Sequence, residues 1–214
     1  MIVDEHIESY INSLGTDIPQ ELYELEKWAL DKQVPIIRKS MQNLLRFLLG
    51  TRKPRNVLEI GTAVGFSTLF IEHYAPEGCV IQTIEKVEMR LVHARKNLAG
   101  HKNIHLLEGD AADILKNKSE SHAERYDFIF LDAAKGQYPK LLEYIKLLMA
   151  DGGMLVTDNV LLEGSIAESK FSVERRDRTI HMRMREYLYT LTHSDELDTV
   201  ILPVGDGVAV TVRK

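Results

Sequence analysis

The sequence predicts an α/β fold, a doubly wound and mostly parallel seven-stranded sheet with an antiparallel hairpin strand at its C-terminal end. Three observations predict it. From residue 56 onward, short apolar runs alternate with stretches of helical spacing. The first run ends in a glycine turn, Gly61-Thr62-Ala63-Val64-Gly65, and helical spacing begins directly behind it at Val64, Leu69, Phe70 and Tyr74. The last two runs are separated only by Val204-Gly205-Asp206-Gly207, whose Asp-Gly step marks a hairpin.

Residues 1–50 read as an N-terminal helical addition and residues 51–214 as the core of what is expected to be one domain over 1–214. Ile7, Tyr10, Ile11 and Leu14 form one helical stripe, and Leu22, Leu25, Trp28 and Ala29 form a second that starts behind Pro19. Val34-Pro35 ends the second helix, and a third is expected from about Arg38 to Leu49, stopping at Gly50. These helices either cover the active site or a partner subunit, or simply pack. The expected strands are Asn56–Ile60, Val80–Glu85, Ile104–Leu107, Tyr126–Asp132, Met154–Asp158, Thr199–Pro203 and Val208–Val212. Helices are expected over about 64–74, 88–99, 111–117 and 137–149.

Composition bounds the function. The 44% hydrophobic and 28% charged content is that of an ordinary globular chain. The one cysteine, Cys79, excludes an internal disulfide and reads as a buried small side chain. Residues 1–15 show no basic stretch leading into an apolar core, and no run is long enough to span a membrane, so a cytoplasmic protein without a membrane partner is expected. A net charge of −5 argues against indiscriminate nucleic-acid binding but leaves room for a local basic patch. His93, His101, His105, His122, His181 and His193 show no metal spacing; surface or capping roles suffice for them.

Ligands of such sheets bind outside the carboxyl ends of the strands, and there the polar residues collect. The turn after the first strand lacks the G-x-G-x-x-G order that suits a pyrophosphate, and Glu59 stands just before Gly61. A carboxylate there would repel a diphosphate and suits a cationic ligand such as S-adenosylmethionine, which carries an ammonium and a sulfonium. The same turn could equally serve only to pack helix on strand. Glu85 ends the second strand, where an acid would hold two ribose hydroxyls, and Asp110 follows the third, within reach of an adenine amino group. Either acid could instead cap the next helix.

Asp132 ends the fourth strand and Asp158-Asn159 the fifth. Two carboxylates and an amide converging from adjacent strands are hard ligands, better suited to Mg²⁺ or Ca²⁺ than to zinc; the competing reading is three strand-end caps. Lys170, Arg175, Arg176, Arg178, Arg183 and Arg185 form a basic stripe against Glu174 and Asp177. It would meet phosphates of a nucleic acid, or it is a solvated helix face with its own ion pairs.

The motifs Glu59-Ile60-Gly61-Thr62, Gly65-Phe66-Ser67, Asp132-Ala133, Lys135, Tyr138 and Asp158-Asn159-Val160 resemble those of the metal-dependent class I O-methyltransferases, the catechol and caffeoyl-coenzyme A group with its Rossmann-like fold. The resemblance runs from about Val34 to the C-terminus. Val34-Pro35-Ile36, Asp132 to Tyr138, Thr157 to Leu161, the arginines near 175 and Pro203 to Gly207 are further similar to a Gram-positive bacterial branch. That branch methylates 5-hydroxyuridine at the wobble position of tRNA to 5-methoxyuridine. Ala63 stands where many methyltransferases have glycine, and the bacterial branch shares it.

The resemblance implies S-adenosylmethionine contacts at Ile37, Ser67, Glu85, Asp110, Ala111 and Asp132, beside Glu59 and Gly61 of the turn. It implies Asp132, Asp158 and Asn159 as ligands of Mg²⁺ or another hard divalent cation, and Lys135 as the lysine near the reacting oxygen. It implies a tRNA anticodon loop as partner, with Arg175, Arg176 and Arg178 toward the phosphates, and a homodimer by analogy. A small catechol or other phenol as substrate, or a non-catalytic cofactor- and RNA-binding module, are the alternatives.

Overall fold

The computed structural model describes residues 2–121 and 125–214, so His122 lies outside the described residues. The elements follow the order α1 (Glu5–Ser13), α2 (Gln20–Asp31), α3 (Lys39–Arg52), β1 (Asn56–Ile60), α4 (Phe66–Tyr74), β2 (Val80–Glu85), α5 (Glu88–Asn97) and β3 (Ile104–Glu108). They continue through α6 (Ala111–Ser121), β4 (Tyr126–Leu131), α7 (Tyr138–Leu148), β5 (Met149–Thr157), α8 (Arg178–Thr192), β6 (Leu197–Leu202) and β7 (Val208–Arg213). Among the described residues seven strands take the sheet order β3-β2-β1-β4-β5-β7-β6. The chain divides into two compact units, Glu5–Ala111 and Ala112–Lys214, the latter with the residues up to Asp4.

In the first unit β1 pairs in parallel with β2, from Asn56 opposite Val80 to Ile60 opposite Ile84, and β2 pairs in parallel with β3. Val57, Leu58, Glu59 and Ile60 are buried in succession, which is the mark of a parallel strand covered on both faces. Phe66, Phe70 and Ile71 of α4 and Met41, Leu45 and Leu49 of α3 fill the core of this unit. The helix α3 does not stop at Gly50. It runs on to Arg52 and ends where Lys53 takes a φ of 49° and returns its N–H to Leu49 O at 2.8 Å. Nothing lies within 4 Å of a Cβ built on Gly50, so no close approach called for glycine there. The stripe on α1 forms as read, but Ile7, Tyr10, Ile11 and Leu14 all stay exposed.

In the second unit β4 and β5 are parallel, and β7 lies antiparallel to both β5 and β6. The C-terminal hairpin therefore inserts its second strand beside β5 and leaves β6 at the edge. β5 starts at Met149, five residues before the expected Met154. Asp151-Gly152-Gly153 reads as a turn, yet Met149 still pairs with Tyr126 across an irregular register. Gly153 is required: a Cβ there would meet Ala150 O at 2.8 Å and Tyr126 O at 3.0 Å. Phe128, Phe130, Leu155, Val156, Leu141, Ile145 and Tyr187 are fully buried and make the core of this unit. Each such side chain contributes on the order of 1.5–3 kcal/mol by leaving water.

The hairpin loop lies tightly against the segment that follows β5. Val160 N donates to Gly207 O and Leu161 N to Asp206 O, both at 2.9 Å. A Cβ on Gly207, whose φ is +83°, would sit 2.2 Å from Leu161 Cγ. Gly207→Ala should therefore cost more than about 2 kcal/mol of unfolding free energy. Gly50→Ala, in an open helical position, should add about 0.5–1 kcal/mol. Urea unfolding of the two variants beside the parent checks the opposite signs.

Candidate functional site

The first cluster of candidate residues belongs to the unit Glu5–Ala111. Gly61 N and Thr62 N both donate to Ile84 O, at 3.0 and 3.1 Å, so the turn after β1 is tied to the end of β2. Gly61, Ala63 and Gly65 take φ values of 114°, 47° and 92°. Gly65 then caps α4 without any side-chain cap, and Ser67 lies buried in the first helical turn. Helix N–H groups at such a start are open to an electron-rich ligand.

Glu59 is fully buried under this turn, and its Oε2 accepts from the hydroxyls of Thr68 and Thr83, the latter at 2.5 Å. Thr83 and Thr62 share a further hydroxyl contact at 2.6 Å. The carboxylate thus braces strand, turn and helix from within.

Glu85 is also buried. Its Oε2 accepts from Ala63 N at 3.0 Å, and its Oε1 from Lys86 N at 2.8 Å and Val87 N at 2.9 Å. Arg90 Nη1 lies 3.7 Å from Oε2. Glu85 thus makes the capping contacts that were one of its two readings. It caps the approach to α5, and a carboxylate with about four acceptor sites retains capacity for a ligand hydroxyl. Asp110 pairs with Lys86 Nζ at 3.0 Å, and Ala111 opens α6 directly behind it. Ile37 is buried, and its carbonyl accepts from Gln42 Nε2 at 3.0 Å; the same amide reaches Glu26 Oε1 at 2.7 Å.

The second cluster belongs to the unit Ala112–Lys214. Asp132 follows β4, and Asp158 and Asn159 follow β5, so the parallel pairing of these strands delivers all three to one end. Asn159 Nδ2 lies 3.5 Å from Asp132 Oδ1, and Asp158 Oδ1 accepts from Asn159 N at 2.7 Å. Asn159 has a φ of 59°, a left-handed conformation that asparagine tolerates better than most residues. The fully buried Tyr138, first residue of α7, donates its hydroxyl to Asp158 O at 3.2 Å. Its phenol is pushed well above the ordinary range, chiefly by burial and then by Asp132, so it stays a donor.

Burial, and next the charge of Asp132, push the Asp158 carboxyl up to about 7; Asp206 adds to the rise, while the Asn159 N–H and Lys135 work against it. Lys135 opens a single 3-10 turn, Lys135–Gln137, and reaches Asp206 Oδ2 at 3.5 Å.

Three acidic side chains are thus gathered with one half-exposed ammonium among them. Among the described residues no three His, Cys, Asp or Glu groups are arranged as a metal cage. The candidate donor set is two carboxylates and the Asn159 amide. Like charges drawn into a buried place fit a hard cation, and the absence of thiolate or imidazole suits Mg²⁺ better than zinc.

The basic stripe is partly spent on structure. Arg178 donates to Val173 O at 3.1 Å and Phe171 O at 3.3 Å, Arg185 to Glu168 O at 3.2 Å, and Arg183 to Gly136 O at 2.9 Å, next to Lys135. Arg176 pairs with Glu174 at 3.0 Å and Asp177 at 3.6 Å. Lys170 and Arg175 are exposed, as is Phe171 at 74%. Arg178, one of the three arginines expected toward phosphates, thus also staples its own loop.

Sequence reading gave no role to Asp206, recognised only as a hairpin marker, or to Tyr138. Nor did it foresee His181, buried in α8 with Nε2 3.1 Å from Ser165 O, where a surface or capping role was expected. The stripe Tyr187, Leu188 and Leu191 on the same face was the available signal for that burial.

With this geometry in view, similarity to known proteins is informative. A family model described as O-methyltransferase matches residues 13–214. The catechol O-methyltransferase of Niastella koreensis is 29% identical over 79% of this chain and 78% of its own length. A structure from Staphylococcus aureus, provisionally named a caffeoyl-CoA O-methyltransferase, is 27% identical with a TM-score of 0.88 over 98% of this chain and all of that one. An O-methyltransferase from Bacillus cereus, solved in complex with SAH, is 23% identical with a TM-score of 0.84 over 98% and 97% of the two chains, which speaks for the fold. Since the family model covers the chain from the last residue of α1 to its C-terminal residue, the chain belongs to the O-methyltransferase family.

Proposed function

We propose that the chain moves the sulfonium methyl of S-adenosylmethionine onto a hydroxyl that has a second oxygen beside it, with a hard divalent cation at Asp132, Asp158 and Asn159. The observation that carries this reading is the paired strand-end cluster, in which Asn159 reaches Asp132 at 3.5 Å and Asp158 is held up near 7 by burial and like charge. A cation there supplies the positive field that makes a phenol-like hydroxyl acidic. Without help, a hydroxyl of pKa about 10 is ionised to roughly one part in a thousand at pH 7, a cost of about 4 kcal/mol.

The chain's own residues do the rest. Glu59 with its threonines fixes the turn, Glu85 offers acceptor capacity to the donor's ribose, and Ser67 stands in the first turn of α4. Lys135, presented by the 3-10 turn, steadies the oxyanion as an ammonium or, as the neutral amine, accepts the departing proton. Carbon–sulfur breakage and carbon–oxygen formation then give S-adenosylhomocysteine, a methyl ether and a proton.

Two acceptors meet the requirement of adjacent oxygens. A catechol has two hydroxyls, and 5-hydroxyuridine has O5 beside the O4 carbonyl. The names of the catechol and caffeoyl-CoA relatives support a small phenol. Support for 5-hydroxyuridine of a tRNA anticodon loop comes from the motifs at 132–138, 157–161 and 203–207 and from the exposed Phe171 among Lys170, Arg175 and Arg176. An exposed aromatic ring among cations is the composition that stacks unpaired bases. We take the nucleoside as the first reading and the small catechol as the second.

Purified protein with labelled S-adenosylmethionine and Mg²⁺ is offered tRNA bearing 5-hydroxyuridine, or catechol. Nucleoside mass spectrometry should detect 5-methoxyuridine. Catechol turnover with unmodified tRNA would move the assignment to the second reading, and no transfer to either would remove both.

Below about 7 the Asp158 carboxyl of the folded chain carries a proton that a bound cation must displace. The rise in Tm produced by Mg²⁺ should therefore be small at acid pH and grow as pH passes through about 7. Asp158→Ala should abolish that rise at every pH. Differential scanning calorimetry with and without Mg²⁺ reads both effects.

A further inference from the structure

Asp206 sits in the hairpin loop between β6 and β7, buried, and the reaction described above gives it no part. Its two carboxylate oxygens face two different elements. Oδ1 accepts from the backbone N–H of Glu163, and Oδ2 lies 3.5 Å from Lys135 Nζ. Its backbone carbonyl takes Leu161 N at 2.9 Å, and the neighbouring Gly207 carbonyl takes Val160 N at 2.9 Å.

The segment so clamped is the one that leaves the Asp158-Asn159 pair. It is an unusual piece of backbone, since Asn159, Leu162 and Glu163 have φ values of 59°, 51° and 54°. Three non-glycine residues in left-handed conformations within five positions persist only where surrounding contacts over-determine them. Asp206 supplies the side-chain contact at the far end of that run and, from the same group, a counter-charge for Lys135. A buried carboxylate is costly to keep unless both oxygens are answered, which is the arrangement found.

We propose that Asp206 is a positioning residue. Through one oxygen it sets the backbone that carries Asp158 and Asn159, and through the other it aims the Lys135 ammonium, so the C-terminal hairpin holds the ligand loop and the lysine in register. This rests on the functional reading above for what the two groups do, but not for how they are held.

Asp206→Asn keeps a carbonyl oxygen for Glu163 N–H and removes the charge that holds Lys135. Asp206→Ala removes both. In Asp206→Asn, methyl transfer should lose about tenfold or more in kcat, as expected when a reacting group is misaimed, with KM for the acceptor nearly unchanged. In a Lys135→Met background the same substitution should lose nothing further, since the two residues act as one unit.

Two measurements need no substrate. Mn²⁺ affinity, read by electron paramagnetic resonance on the protein alone, should be kept in Asp206→Asn and weakened at least about tenfold in Asp206→Ala, as for an outer partner of a metal ligand. Hydrogen exchange of residues 160–164 should quicken only in Asp206→Ala. Independent, additive effects of Asp206→Asn and Lys135→Met on kcat would overturn the proposal. Unchanged Mn²⁺ affinity and protection in Asp206→Ala would overturn it as well. If the parent protein moves no methyl group at all, the functional reading fails, while Mn²⁺ affinity and exchange still judge the role of Asp206.

Discussion

Negative charge is concentrated in the unit Ala112–Lys214 where solvent is scarce. Asp132, Asp158 and Asp206 gather around the ends of two parallel strands and one hairpin loop, and a single lysine reaches among them. Buried like charges are unfavourable, and the elevated Asp158 carboxyl is the visible sign of that cost. On the proposed reading, the cluster is prepared for positive charge.

The unit Glu5–Ala111 shows the opposite strategy. Its buried carboxylates are braced from within: Glu59 through Oε2 by two threonine hydroxyls and Glu85 by three backbone N–H groups. Acids braced in this way fix the shape of a turn. A turn that is already set binds its ligand with little further ordering cost.

The sheet was legible because its strands are short apolar runs bounded by glycine and acids. Asn56–Ile60 and Val80–Glu85 begin and end where the run and its polar stop place them. The early start of β5 was not legible, since Asp151-Gly152-Gly153 looks like a turn, and only the pairing of Met149 with Tyr126 reveals a strand there. Gly50 misled in the other direction, because a glycine stop and a tolerated helical glycine look alike in one sequence. In the site, Asp132, Asp158 and Asn159 could be read because strand ends put them there. Asp206 could not, because its partners lie 71 and 43 positions away, and only the folded hairpin brings it to them. Much of the basic stripe, likewise, is consumed by carbonyls that a sequence cannot show to be unanswered.

The turn at Ala63 carries one more implication. An alanine occupies a left-handed conformation, at φ 47°, that glycine would adopt freely. Its methyl group narrows the conformations open to the unfolded chain, which offsets part of the native discomfort. Pattern searches that insist on glycine at this place will overlook proteins built this way, whereas a search phrased in backbone angles would find them.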